Sequence, residues 1–138
     1  MSLSRRSIRE SAFIIIFEKS FGNYELDELF SIAEESENIQ INDKVKDIVN
    51  GVFTHLEELD EIISKYSQKR IIERIPKVNL SVLRLAIYEA KYSENVPVNV
   101  AISEAVAIAE KYAFETDSKF INGVLGAFSR NGEAEMNV

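Results

Sequence analysis

Apolar residues recur along this chain at spacings of three and four, the period of helices covered on one face. Arg5 to Phe21 carries two such stripes, Ile8, Ala12 and Ile15 in one and Phe13, Ile16 and Phe17 in the other, so the first helix is expected to be covered on more than one side. The run Ala12-Phe13-Ile14-Ile15-Ile16-Phe17 is β-branched enough to suit a strand, but its length and flanks favour the helix. Gly22-Asn23 is expected to end it through a left-handed cap. Leu26, Leu29, Phe30 and Ala33 predict a second helix over 26–36 with an acidic outer face. Asn42 is placed to cap a third, which carries Val45, Ile48, Val49, Val52, Phe53 and Leu56. The pattern then shifts to Leu59, Ile62, Ile63 and Tyr66, satisfied by one bent helix or by two consecutive ones.

Lys69 to Lys77 breaks the rhythm, and Pro76 biases Ile75 away from helical geometry. A hinge is therefore expected over 68–78, between sub-bundles over 4–67 and 79–130 of a single domain, with a frayed tail over 131–138. Asn79 is expected to cap a helix bearing Leu80, Leu83, Ala86, Ile87 and Ala90, and Asn99 to cap the next, over 100–112. Thr116 or Asp117 is expected to cap the last, which runs to about 130. Within it, Asn122-Gly123 is out of place, because Gly in a helix interior costs about 1 kcal/mol against Ala. Either two helices pack closely there or a partner approaches the backbone; the pair is read as a close-packing joint. Every element is helical, and short loops imply antiparallel bundles, so the fold class is all-α with about seven helices.

Composition narrows the function. The 138 residues suit one domain, and without cysteine there is neither a disulfide framework nor a thiolate metal site, so a cytoplasmic, reducing setting is expected. No segment approaches a membrane span. The net charge of −7 argues against a domain-wide basic surface, yet the charge is uneven: twelve acids face Lys44 and Lys46 over 25–61, whereas seven bases face Glu73 and Glu89 over 65–91. Arg5, Arg6 and Arg9 add a basic N-terminus. There is no phosphate loop, no metal-ligand spacing and no nucleophile beside a base, so no catalytic residue, metal or cofactor is expected. The single histidine, His55, reads as a helix surface residue. Arginines with Phe17, Tyr66, Tyr88 and Phe120 suit phosphates and unpaired bases, and so single-stranded RNA better than duplex. Taken singly, each of those aromatics also suits a core.

Separated motifs, in order, resemble the NusB family of bacterial transcription antitermination factors. They are Arg5-Arg6-Ser7-Ile8-Arg9-Glu10-Ser11-Ala12, Val82 to Glu89 (VLRLAIYE), Val96-Pro97 with Val100 to Val106 (VAISEAV), and Lys119-Phe120-Ile121-Asn122-Gly123-Val124-Leu125. The resemblance covers nearly the whole chain and is loosest over 23–41. It implies an all-helical fold of two small bundles and a non-enzymatic role. The expected partners are boxA-like RNA, the ribosomal protein NusE and the RNA polymerase antitermination complex. By motif match it assigns RNA binding to Arg5, Arg6, Arg9, Arg84, Lys119 and Phe120, and NusE binding to Phe17 and Asn79. This chain departs from the family pattern at three places. Asn79 stands where an acid is common, the acid before the Lys-Phe motif is displaced to Asp117, and Ser7 interrupts the arginines. Two alternatives stay open: an RNA-binding module like those of ribosomal RNA methyltransferases, which would continue into a Gly-rich cofactor domain, and a purely structural helical domain. Monomer and homodimer also stay open.

Overall fold

A computed structural model describes residues 4–36, 39–68, 71–93 and 95–131. These residues form seven α-helices: α1 (Arg5–Lys19), α2 (Leu26–Glu34), α3 (Asp43–Thr54), α4 (Leu56–Tyr66), α5 (Lys77–Tyr92), α6 (Val98–Tyr112) and α7 (Glu115–Arg130). A 3₁₀ turn, Ile72–Arg74, precedes α5, and no strand occurs among the described residues. The chain divides into two compact units, Met1–Thr54 and His55–Val138. That division falls upstream of the 68–78 segment expected to be the hinge. Within the segment, residues 69 and 70 lie outside the described set, the 3₁₀ turn follows, and Ile75 is buried. The tail expected to fray also lies outside the described residues from position 132 onward.

In the first unit, α1 packs on α2 and α3. Its first apolar stripe is buried and its second is buried apart from the half-buried Phe17, with Ile8, Ala12, Phe13, Ile15 and Ile16 inside, as are Leu29, Phe30 and Ala33 of α2 and Val45, Val49 and Val52 of α3. Such burial outweighs the strand preference of the β-branched run, because a helix covered on several sides removes each of those side chains from water at about 25 cal/mol per Å². Ser4 caps α1 by accepting from the Ser7 amide at 3.1 Å. The expected left-handed stop does not form. The helix ends at Lys19, neither Gly22 nor Asn23 adopts positive φ, and Lys19 Nζ instead closes the turn on the Tyr24 carbonyl at 2.7 Å. Asn42 caps α3 as expected, accepting from the Val45 amide at 2.9 Å.

His55, at φ −103° and ψ 17°, separates α3 from α4, so the bent-or-broken alternative resolves to two helices. In the second unit α5 is the central element, packed on α4, α6 and α7, with Asn79 to Ile87 buried without interruption. Three expected caps are corrected here. Pro76 and Pro97 occupy the cap positions of α5 and α6, where the proline ring pre-sets the backbone and no amide is lost, so Asn79 and Asn99 fall inside the first turns. Phe114 takes the cap position of α7, ahead of Thr116 and Asp117.

The Asn122-Gly123 joint is corrected as well. Ile121, Val124 and Leu125 are buried, but Asn122 and Gly123 are exposed, and a Cβ placed on Gly123 would meet nothing within 4 Å. Close helix packing therefore does not require this glycine.

Candidate functional site

The residues singled out by sequence fall into separate local settings. On α1, Arg5 and Arg6 are exposed, while Arg9 is buried to 7% exposure. No acid stands in the first turn of α1. Cations there face the positive end of the helix dipole, an arrangement costing about 0.3–1 kcal/mol per charge. At the other end of α1, the Phe17 ring is half-buried, stacks on Phe13 at 6.0 Å and meets Phe21 edge-on at 4.7 Å. Phe21 is 61% exposed, and Tyr24 beside it is also exposed. Sequence reading missed both, although Phe13, Phe17 and Phe21 share an i, i+4 spacing that places them in one row. Burial pushes the Glu18 carboxyl above its ordinary value at this same end.

In the second unit a row of polar contacts joins α4 to α5. Arg84 is 8% exposed and donates to both oxygens of Asp60, from Nε at 2.8 Å and from Nη2 at 2.9 Å. A guanidinium both buried and paired with a carboxylate offers little accessible charge to a phosphate, so a direct RNA contact at Arg84 is not what its geometry favours. One turn on, Tyr88 tilts toward His55 with ring centroids 6.2 Å apart. Another turn on, Tyr92 stacks on His55 at 4.2 Å and donates its hydroxyl to Glu58 Oε1 at 2.5 Å. That hydrogen bond, followed by burial and the charges of Glu58 and Tyr88, pushes the Tyr92 phenol up to about 12. His55 and Tyr88, read from sequence as surface and platform, are thus both half-buried parts of a row of ring contacts between helices. Tyr66 is half-buried with its ring edge-on to the buried Phe128 at 6.2 Å, which is also packing.

The start of α7 differs. Lys119 is exposed, with only a long contact of 3.9 Å to Glu115, and Phe120 is half-buried. Lys119 stands at the rim of an open groove of about 380 Å³, lined by Val106, Glu110, Ala113, Glu115, Ser118 and Asn122. Asn79, by contrast, is 2% exposed and donates from Nδ2 to Asp117 Oδ1 at 3.1 Å. Among the described residues there is no group of three or more His, Cys, Asp or Glu side chains placed to hold a metal ion. Nor is any helix long and apolar enough to cross a membrane.

Residues 6–130 match the sequence pattern of the NusB family. The chain belongs to the NusB family. It is 37% identical over 130 residues to the transcription antitermination protein NusB of Ruminiclostridium cellulolyticum, an alignment covering 93% of this chain and 90% of that one. Identity to the NusB of Thermoanaerobacter sp. (strain X514) reaches 49%, but over 87 residues that span 63% of this chain and 61% of the relative's length. Among solved structures, NusB of T. maritima superposes with a TM-score of 0.83 at 30% identity, covering 94% of this chain and 93% of that one. A crystal structure of antitermination factors NusB and NusE in complex with dsRNA matches with a TM-score of 0.81, again at 30% identity, covering 92% and 96% of the two chains. The all-helical fold expected from the residues is the fold of these NusB-family structures.

Proposed function

We propose that this protein is a non-enzymatic transcription antitermination factor of the cytoplasm that binds boxA-like RNA together with NusE and joins an RNA polymerase antitermination complex. The observation that carries the reading is the exposed Arg5-Arg6 pair at the positive end of α1, with no acid in that turn. A cation such as Arg5 held against the helix dipole opposes folding and gains from an anion brought to it. Lys119 and the half-buried Phe120 supply a second phosphate contact and a face for an unpaired base at the start of α7. Arg9 and Arg84 are buried and present little surface to RNA. Phe17, continued outward by the exposed Phe21, provides the NusE contact. The relative solved with NusE and RNA supports the partnership.

A titration of labelled RNA with and without NusE tests this reading. Single-stranded boxA-like RNA, its scrambled counterpart and a duplex of the same sequence are compared. Binding is expected to be weak for the protein alone and to rise sharply for the boxA-like strand with NusE. Equal binding of the boxA-like and scrambled strands in both conditions overturns it.

A further inference from the structure

We propose that Asn79 is a positioning residue for the RNA-facing start of α7, acting through Asp117; the proposal rests on the RNA reading above. Asn79 lies in the first turn of α5, and Asp117 in the first turn of α7, 38 residues later in the chain. The hydrogen bond between them, 3.1 Å from Nδ2 to Oδ1, ties the two helix starts together. Packing alone does not account for an amide at this place. Asn79 Oδ1 is buried with no hydrogen-bond partner among the described residues, and an apolar side chain of similar size would avoid that desolvation. What the amide adds is its donor to Asp117.

Asp117 in turn holds the beginning of α7. Its Oδ2 accepts from the Phe114 amide at 3.4 Å, the return half of a capping box. The forward half is missing because Phe114, 80% exposed in the cap position, has no side-chain acceptor. A carboxylate in the first turn also suits the helix dipole. One carboxyl group therefore accepts twice, once to shape the first turn and once to fix it against α5. Lys119 and Phe120 follow two and three residues later, within a turn of this anchor, so its orientation sets where they project. A neutral amide is the partner this requires. An acid at position 79 would set two carboxylates against each other and loosen the joint.

The test exchanges the two groups. Asp117→Ala and Asn79→Asp are each expected to lower affinity for boxA-like RNA in the presence of NusE by about tenfold, the effect of losing one hydrogen bond to a charged group. Both are expected to speed hydrogen exchange of the amides at 115–118. In Asn79→Asp/Asp117→Asn the amide moves to position 117, where it can still accept from Phe114 and donate to the carboxylate introduced at position 79. Affinity and exchange are then expected to return to within about threefold of the starting protein. A merely structural loss at either position is not repaired by the second substitution. Thermal unfolding of each variant accompanies the titration, and half-exposed Asp117 keeps the test readable if Asn79→Asp alone does not fold. The proposal is overturned if the exchanged pair binds no better than the weaker single variant. It is equally overturned if Asp117→Ala leaves RNA affinity and amide exchange unchanged while Lys119→Ala weakens binding. Undiminished RNA binding by both Lys119→Ala and Phe120→Ala takes the start of α7 off the RNA face and overturns the proposal, whereas equal binding of boxA-like and scrambled strands by the unaltered protein overturns the RNA reading itself.

Discussion

Arg5 in the first unit and Arg84 in the second carry the same guanidinium, and the fold uses it in opposite ways. Arg5 on α1 stands in solvent at the unfavourable end of a helix dipole, with no acid in that turn. Arg84 is almost wholly covered and bidentate to Asp60. The first arrangement opposes folding slightly and gains from an external anion; the second is satisfied within the protein and leaves an uncompensated charge if broken. A basic residue in a suggestive motif is thus not yet a binding residue. Its acid partner, 24 positions away in the case of Arg84, decides which it is.

The sharpest way to break this comparison is Asp60→Ala. It strands Arg84 in a buried setting and is expected to destabilise the protein by about 3–5 kcal/mol, read by urea unfolding. A loss under about 1 kcal/mol would place Arg84 with the exposed Arg5. Next comes Phe21→Ala, which removes an exposed ring at the end of the α1 aromatic row. NusE affinity is expected to fall by about 2 kcal/mol, as for an interface anchor, with a stability change near 0.5 kcal/mol or less. Isothermal titration against NusE measures the first and thermal unfolding the second.

Arg5→Ala is expected to cost roughly tenfold in RNA affinity and to reduce the salt slope by about 0.7, as one single-strand phosphate contact would. It is also expected to raise stability by about 0.3–1 kcal/mol through the helix dipole. If instead stability falls, the arginine has an internal role like that of Arg84. Gly123→Ala is expected to stabilise the protein by up to about 1 kcal/mol, since the added methyl meets open space. A loss of stability there would restore the close-packing reading.

The smallest effect lies in the α4–α5 seam. The raised Tyr92 pKa means that the folded state favours the neutral phenol. Its contribution is complete below about pH 10, the unfolded value, and is lost as pH rises from there toward about 12. Tyr92→Phe is expected to flatten the pH dependence of unfolding in that window, while leaving RNA binding at neutral pH unchanged.

Periodicity made most of the helices legible, because an amphipathic stripe is a local property of the chain. It placed the buried positions of α1 and α3 and the buried Ile121, Val124 and Leu125 of α7. Helix starts were less legible. Asparagines were read as caps of α5 and α6, but the prolines just before them took the position, because a fixed φ and a missing amide suit a helix start without any side-chain bond. Phe21 and Tyr24 escaped notice because only exposure distinguishes a surface aromatic from a core one.

The chain by itself determined an all-helical fold, the core faces of its helices and, through separated motifs, its family. Those features depend on residue type and near-neighbour spacing, which are fully present in one dimension. The tertiary structure alone decided that Arg84 belongs to Asp60, that Tyr92 belongs to Glu58 and His55, and that Asn79 belongs to Asp117. Each is a pairing between helices, and no local pattern specifies which distant acid or ring will meet a given polar side chain. The same holds for Asn122-Gly123, odd in any helix by sequence. Whether a missing Cβ leaves room for a neighbour or for solvent depends on what lies opposite, and there it is open space.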